Sequence, residues 1–320
     1  SEGHLDNSFG VLHSGRNMLL AAGKDIDLSS AKLKALELDI QAGGNVSLGT
    51  TTHTNSQQNI KGSSLQTQLG PIANISVVQD ARIKAGSDLN ITGANIDIGG
   101  NFQADAGANI KIGAVQTEDQ KSLDRFGGIG STDVKVQQGS TISVGKNTRI
   151  TSGKDIRIEG SHLTLGSTQS NQADIVAGGS ISVAAVKNTS DILSTNSESS
   201  WHGTNSSRLE SHSESVKGSH LVSLGDLKLT SGKDIALEGS EVVANKNLQM
   251  DAKGDLRIAS VAQTQAQDST FTNSKNNVLM QSERQDETRI ASTLALGSTV
   301  TSLSGNVTLQ AGKSFFQMGS

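Results

Sequence analysis

One stretch, residues 232–258, constrains the fold most, because its apolar residues come in short pairs separated by turn-forming residues. The steps between pair starts are 7 (235 to 242), 6 (242 to 248) and 8 (248 to 256) residues, 21 in all. Residues two apart on a strand point to the same face, so each pair predicts the buried side of one short strand. The pairs are Ile235/Leu237, Val242/Ala244, Leu248/Met250 and Leu256/Ile258.

The same spacing recurs elsewhere in the chain. Steps of 7, 6 and 8 residues separate the pairs that start at Leu89, Ile96, Phe102 and Ile110. Residues 151–161 are a near copy of residues 230–240. Repeats of this kind predict an all-β fold, a right-handed parallel β-helix with three-strand coils of about 21 residues. About nine or ten coils stacked roughly 4.8 Å apart would make a rod about 45 Å long.

Composition agrees with such a rod and excludes several function classes. The 320 residues include 35 Gly, one Pro, no Cys and 2% aromatics, with a formal net charge of −4. The sequence has no clustered Lys/Arg patch of the kind that would indicate a nucleic-acid partner. Its apolar runs are far shorter than the roughly 20 residues of a membrane helix. We expect corner glycines such as Gly153, Gly232, Gly239 and Gly254 to need positive φ.

Four long polar excursions interrupt a single solenoid that spans residues 1–320, with its first clear coil at Ile26. The strand pairs before them end at positions 48, 112, 183 and 258, which are 64, 71 and 75 residues apart. Three excursions open alike, at Val115, Val186 and Val261. Long excursions from a compact body are usually functional, disordered or separately structured. Either they only decorate the rod or they form protruding strands that engage a partner or membrane. They cover about residues 50–74, 115–138, 187–220 and 262–298.

The excursions carry scattered apolar residues, and partly alternating stretches such as Leu294/Leu296/Val300 are able to pair as strands. These residues are the functional candidates of the chain. They are Ile60, Leu65, Leu69, Leu123, Phe126, Ile129, Trp201, Leu209, Phe271, Val278, Leu279 and Met280.

No catalytic, cofactor-binding or metal-binding residue is predicted. Residues 139–146 resemble a phosphate loop but have five residues between the glycines where that motif has four. His202, His212 and His220 lie near Glu198, Glu210 and Glu214, yet their spacing matches no zinc motif. The recurring aspartates after glycine are read as turn formers rather than as a lyase or hydrolase site. They are Asp25, Asp88, Asp155, Asp234 and Asp255.

The repeats resemble a known family. The Gly-Lys-Asp-Ile units, Gly-Gly-Asn-Val-Ser-Leu at residues 43–48 and Gly-Asn-Val-Thr-Leu-Gln-Ala-Gly-Lys at residues 305–313 are similar to the haemagglutinin repeats of filamentous-haemagglutinin-type exoproteins. These are large two-partner-secreted proteins of Gram-negative bacteria, among them adhesins and contact-dependent growth inhibition toxins. The Asn-Pro-Asn motifs of the family's secretion domain are absent, so the resemblance is to the repeat region.

The resemblance implies a non-enzymatic internal segment of a secreted cell-surface exoprotein. It would act in cell contact and in delivery of a C-terminal toxin across the target cell's outer membrane. Its partners would be other domains of the same exoprotein and the target outer membrane or a surface receptor, with no cofactor, nucleic acid or small-molecule substrate. Two alternatives stay open: the stalk of a host-binding adhesin, and a polysaccharide-binding or polysaccharide-degrading β-helix.

Overall fold

The computed structural model describes residues 3–125, 128–277 and 280–319, and every regular element among them is a β-strand. No helix in the described part of the chain is long and apolar enough to cross a membrane. The strands before the second hairpin are β1 (Leu5–Asp6), β2 (Val11–His13), β3 (Asn17–Ala22), β4 (Ile26–Asp27), β5 (Lys32–Ala35), β6 (Glu37–Ala42), β7 (Val46–Gly49), β8 (Thr52–Asn59), β9 (Gly62–Leu69), β10 (Asn74–Val77), β11 (Ala81–Ala85), β12 (Leu89–Thr92), β13 (Asn95–Ile98), β14 (Phe102–Ala106) and β15 (Ile110–Gly113).

The second half of the chain continues the same succession. Its strands are β16 (Val115–Arg125), β17 (Gly128–Gln138), β18 (Thr141–Val144), β19 (Thr148–Ser152), β20 (Ile156–Glu159), β21 (His162–Leu165), β22 (Gln172–Ala177), β23 (Ile181–Ala184), β24 (Val186–Ser200), β25 (Gly203–Lys217), β26 (His220–Ser223), β27 (Asp226–Ser231), β28 (Ile235–Glu238), β29 (Glu241–Ala244), β30 (Leu248–Ala252), β31 (Leu256–Ala259), β32 (Val261–Asn277), β33 (Met280–Leu296), β34 (Thr299–Ser302), β35 (Val307–Ala311) and β36 (Phe315–Met318).

Three parallel sheets form the rod, as the sequence repeats predict. Sheet 1 has ten strands (β1, β4, β7, β12, β15, β20, β23, β28, β31, β36), sheet 2 has nine beginning with β2 and β5, and sheet 3 has nine beginning with β3 and β6. Ile235 lies directly beside Leu256, and Val242 beside Leu221, so one turn of the coil advances 21 residues there. This is the parallel β-helix that the 21-residue spacing predicts.

The apolar pairs fill the interior of the rod. Ile235, Leu237, Leu248 and Met250 are each at most 1% exposed, and the buried residues form one continuous cluster along the whole rod. The core is almost entirely aliphatic, with Phe102 as its largest fully buried side chain. Burial of these stacked pairs supplies the main stabilisation of the rod.

The rod begins earlier than the pattern indicates. Strands β1, β2 and β3 already form a coil before Ile26, in register with β4, β5 and β6. Their inward residues Leu5, Leu12, Met18 and Leu20 are only partly buried against the core. The coil is hard to recognise because two of its three strands are short and contribute one inward apolar residue each.

The prediction for the corner glycines is right for Gly239, with φ +55°, and wrong for Gly153, Gly232 and Gly254, which are not among the positive-φ glycines. These three positions exclude a side chain because neighbouring coils stack closely. A Cβ on Gly153 would lie 2.2 Å from the carbonyl oxygen of Gly107, and one on Gly232 would lie 2.1 Å from that of Gly178. Close backbone approach, rather than backbone conformation, accounts for these two. A Cβ on Gly254 would instead lie 2.1 Å from Asp234 Oδ1.

The recurring aspartates connect coils. Asp25 Oδ1 accepts a hydrogen bond from the backbone N–H of Asn45 at 2.7 Å, and Asp155 Oδ1 accepts one from Ser180 at 2.9 Å. Asp234 Oδ1 does the same for Asp255 at 2.8 Å. Each side chain therefore binds the equivalent turn of the next coil, so these residues form a ladder along the rod rather than closing their own turns.

Candidate interaction surface

The four excursions contain four β-hairpins that join into one sheet, here called the fin. The hairpins are β8–β9, β16–β17, β24–β25 and β32–β33, and their strands lengthen from 8 to 11, 15 and 17 residues along the chain. The eight strands pair in the order β33-β32-β25-β24-β17-β16-β9-β8. The excursions thus form a continuous antiparallel sheet. Of Leu294, Leu296 and Val300, only the first two belong to this sheet, because Val300 lies in sheet 2 of the rod.

The spacing of the hairpins along the rod explains why they can join. Each hairpin follows a strand of sheet 1, and it does so at every second coil, after β7, β15, β23 and β31 but not after β12, β20 or β28. Two coils rise about 9.6 Å, and one hairpin is two strands wide, also about 9.6 Å. Because the two periods match, successive hairpins meet edge to edge.

The valines that open three excursions pack at the hairpin roots. A Cβ on Gly93 would lie 2.5 Å from Val115 Cγ1, and a Cβ on Gly160 would lie 2.3 Å from Val186 Cγ2. Gly93 and Gly160 have φ of +61° and +56°. The root valine therefore covers a left-handed glycine at the corner of the preceding coil, and Val261 covers Gly239 in the same way.

A ladder of buried serines holds the corner where the hairpins return to the rod. Ser140 Oγ donates to the carbonyl oxygen of Gly113 at 2.9 Å, and Ser219 Oγ donates to that of Ala184 at 2.7 Å. The backbone N–H of Ser140 donates to Ser161 Oγ, and that of Ser219 donates to Ser240 Oγ. The same two carbonyl oxygens also accept from the N–H groups of Gly93 and Gly160, so each serine hydroxyl adds a second donor at the corner.

Side chains bridge neighbouring hairpins near their roots, where the backbone pairing stops. Pairing of β17 with β24 ends at Lys135 and Thr189, and beyond it the N–H of Gln137 donates to Asn188 Oδ1 at 2.7 Å. Between the third and fourth hairpins, the N–H of Thr264 donates to Glu214 Oε2 at 3.0 Å. Neighbouring hairpins are therefore connected by these side-chain contacts as well as by backbone hydrogen bonds between their strands.

The two faces of the fin differ in chemistry. Residues paired directly across antiparallel strands lie on the same face. The charged face is the one with Lys135, Asp191 and Glu214, and the apolar face is the one with Val136, Ile192 and Leu209. The other charged-face residues with ionisable side chains are Glu118, Asp124, Asp133, Lys187, Arg208, Glu210, His212, Asp268, Glu283, Glu287 and Arg289.

Ion pairs cross-link the strands of the charged face. Lys187 Nζ lies 2.9 Å from Glu214 Oε2, and Arg289 Nε lies 2.9 Å from Asp268 Oδ2. The hydrogen bond from Lys187, helped by the N–H of Thr264, lowers the pKa of Glu214 below its ordinary value. The hydrogen bond to Asp133 raises the pKa of Lys135. Cross-strand pairs of opposite charge stabilise a sheet with little core of its own.

The three histidines of the third excursion do not meet. His202 lies at the hairpin tip beside Trp201, and His212 Nδ1 lies 2.5 Å from Asp191 Oδ1 on the fin. His220 belongs to β26 of the rod, where Nδ1 lies 2.9 Å from Glu241 Oε2. Among residues 3–125, 128–277 and 280–319 no group of three His, Cys, Asp or Glu residues is arranged to hold a metal ion.

Exposed apolar side chains stand at the hairpin tips. Ile60 is 102% exposed between β8 and β9, and Trp201 is 86% exposed between β24 and β25. The sequence places Phe126 and Val278–Leu279 between the strands of the other two hairpins, outside the described residues. Because the strands lengthen along the chain, Trp201 stands farther from the rod than Ile60 does.

Comparison with known proteins identifies the family. The family model of the hemagglutinin repeat matches residues 6–64, 61–128, 130–210 and 202–278, most of the rod and fin. The fold defines the class as a parallel β-helix of haemagglutinin repeats. The chain belongs to the hemagglutinin-repeat family and is a repeat segment of the filamentous-haemagglutinin type.

Several large proteins contain a similar segment. The chain is 31% identical over 277 residues to the tRNA nuclease CdiA-2 of Burkholderia pseudomallei, which is 86% of this chain and 9% of the relative. It is 31% identical over 233 residues to the Toxin CdiA of Yersinia pestis, 72% of this chain and 7% of the relative. It is 26% identical over 266 residues to the Hemolysin of Serratia marcescens, 78% of this chain and 16% of the relative. No solved structure matches at a significant level.

Proposed function

We propose that this chain is a non-catalytic segment of a large secreted exoprotein on the surface of a Gram-negative bacterium. In this role the rod is the scaffold, and the fin makes contact with the target cell and helps to deliver a C-terminal toxin across the target's outer membrane. Rod and fin act as a single unit, with the other domains of the exoprotein as partners.

The observation that carries the proposal is the fin itself. A sheet of eight strands, exposed on both faces and ending in Ile60 and Trp201, has no role in closing the core of the rod. Burial of exposed apolar side chains at a lipid or protein surface is favourable. The relatives named as toxins and nucleases support delivery as the purpose, because their names refer to an activity while the matched segment is repeats.

Vesicle flotation tests the membrane contact. The chain is mixed with vesicles of outer-membrane lipid, and the bound fraction is compared with that of the double variant Ile60→Ser, Trp201→Ser. We expect the double variant to lose most of the bound fraction. The matched control is Leu303→Ser, which removes a side chain that is 69% exposed on the rod and leaves the tips intact.

Negligible binding of the wild-type chain to vesicles would remove the membrane part of the proposal. Binding of target cells without binding of vesicles would favour the adhesin stalk, in which the fin or rod contacts a surface receptor.

A groove on the outer surface of sheet 3 favours the polysaccharide alternative. Arg82, Gln103, Arg149 and Asp174 stack along four successive coils at one register position. The groove along them is lined mainly by hydrogen-bonding side chains, together with the exposed Leu19, and has no outward-facing aromatic residue among the described residues that line it. Sugar sites usually include an aromatic platform, so this function ranks after both the proposed one and the adhesin stalk.

Binding to a panel of immobilised glycans tests that alternative. We expect that any glycan binding is the same in the double variant Arg82→Ala, Arg149→Ala as in the control Lys32→Ala, which lies in sheet 2. Loss of glycan binding in the double arginine variant alone would make sheet 3 the functional surface.

A further inference from the structure

We propose that the apolar face of the fin docks against the same face of a second copy of this chain. The inference rests on the distribution of side chains over the two faces and is independent of the proposed membrane contact.

The exposed large apolar side chains of the paired fin strands lie almost entirely on one face. Among the fin residues whose side chains the structure describes, seven of the eight are on the apolar face, and Ile129 is on the charged face. Exposed apolar residues scattered singly need no explanation, whereas their segregation to one side of a sheet indicates a surface that is covered. The seven are Leu123, Val136, Ile192, Phe271, Ile290, Leu294 and Leu296.

The charges on the apolar face are compensated or peripheral. Lys121 Nζ lies 2.9 Å from Asp119 Oδ2, and Arg284 Nε lies 3.0 Å from Asp286 Oδ2. Lys217 is at the root of its hairpin, where Nζ donates to the carbonyl oxygen of Gln137. Glu198 and Lys275 lie at the opposite edge of the face, beside the hairpin ends. The centre of the face therefore buries no uncompensated charge when another sheet covers it.

The remaining residues of the apolar face favour a protein over a lipid. Ser211, Gln265 and Gln267 share the face with Ile192 and Ile290, so hydrogen-bonding groups alternate with apolar ones. Hydrocarbon would leave these amides and hydroxyls without partners, at a large energetic cost. A facing sheet with the same side chains can satisfy them.

A second copy supplies that facing sheet. In a two-fold contact the same patch is used on both copies, so each copy presents the same alternation of amide, hydroxyl and apolar side chains to its partner. Two antiparallel sheets pack face to face about 10 Å apart. The six strands β16, β17, β24, β25, β32 and β33, which include every one of these apolar residues, have at least 11 residues each. They cover on the order of 1,000 Å², more than the roughly 800 Å² per partner of a standard stable interface.

Analytical ultracentrifugation of the 320-residue chain tests this docking. We expect a concentration-dependent dimer for the wild type and for Ile129→Glu, whose substituted side chain lies on the charged face. Ile290→Glu places a charge on the apolar face at a position that is 62% exposed in the single chain. We expect it to weaken the dimer at least about tenfold. Unchanged circular dichroism of both variants shows that the fold is kept.

Cross-linking provides an independent measurement, because the chain contains no cysteine. Ser211→Cys places a thiol on the apolar face, and Ser131→Cys places one on the charged face. A flexible bis-maleimide should cross-link copies of the first variant much more than copies of the second.

Four results would overturn the proposal. They are a monomer at all concentrations, a dimer that Ile290→Glu leaves intact, a dimer that Ile129→Glu weakens equally, and a dimer that only Phe316→Glu abolishes. The last result would assign self-association to the terminal coil of the rod, where Phe316 is 46% exposed. A monomer whose vesicle binding is lost in Ile290→Glu would assign the apolar face to lipid.

Discussion

The rod and the fin are both built of β-strands, yet different interactions hold them together. The rod encloses a continuous aliphatic core in which residues such as Ile158 are 0% exposed. The fin is a single sheet in which even Ile192 is 42% exposed, so backbone pairing, cross-strand ion pairs and the root contacts stabilise it. The hydrophobic stabilisation of this chain therefore comes mainly from the rod, and the side chains of the projecting fin stay available for contact.

The largest expected effect sets a core position against a fin position. Ile158→Ala should lower the free energy of unfolding by about 2–5 kcal/mol, because it leaves a cavity in close-packed surroundings. Ile192→Ala, the matched control, should cost less than about 1 kcal/mol. Urea unfolding followed by circular dichroism measures both. Equal losses would mean that the fin carries as much packing as the rod.

The next effect concerns the corner that joins the two regions. Gly160→Ala forces a side chain into a left-handed position 2.3 Å from Val186 Cγ2 and should cost about 1–3 kcal/mol. The third hairpin should then be cut faster by protease than in the wild type. Gly130→Ala is the control, because a Cβ there meets nothing within 4 Å. Unchanged cleavage of the Gly160 variant would contradict the role of the root contact.

A smaller effect is expected from the aspartate ladder of the rod. Asp155→Ala leaves the N–H of Ser180 without its side-chain acceptor and should cost about 1–2 kcal/mol. Asp97→Ala, at an exposed position on the outer face of sheet 2, should change the unfolding midpoint little. If both substitutions changed the unfolding midpoint equally, the hydrogen bonds that the aspartate ladder makes between coils would not stabilise the rod.

The smallest expected effect is a pH dependence confined to the fin. The pKa of Glu214 is lowered in the folded chain, so its contribution is present at neutral pH and is lost as the pH falls below the ordinary value of 4.5 through the lowered value. The hydrogen-exchange protection around Thr264, corrected for the intrinsic pH dependence of amide exchange, should therefore decrease on acidification, while that of sheet 1 of the rod is unaffected. Glu214→Gln should abolish that decrease, and Glu198→Gln should leave it unchanged.

The sequence predicts the rod more completely than the surface. Pairs such as Ile235/Leu237 identify inward strand positions because side-chain alternation is a local property. The excursions are also found from the sequence, since the pairing pattern stops at each one. The joining of four hairpins is not found, because contacts such as Glu214 with Thr264 span 50 residues and leave no periodic pattern.

Other details follow the same division. The shared valine of Val115, Val186 and Val261 is visible in the sequence, but its contact with a glycine of the preceding coil is not. Gly153 and Gly232 are recognisable as turn residues, yet only the stacking of coils shows that close carbonyl oxygens, rather than positive φ, exclude a side chain. His202, His212 and His220 are close in the sequence but apart in space. The first lies at a hairpin tip, the second in a fin strand and the third in the rod.

The sequence by itself determined the 21-residue coil, the aliphatic core and the positions where the chain leaves the rod. These depend on which residues alternate along a strand and on where turn formers fall. Only the tertiary structure decided that the hairpins form one fin with an apolar and a charged face. The physical reason is that two coils and one hairpin have the same width of about 9.6 Å, and this match exists only once the coils are stacked.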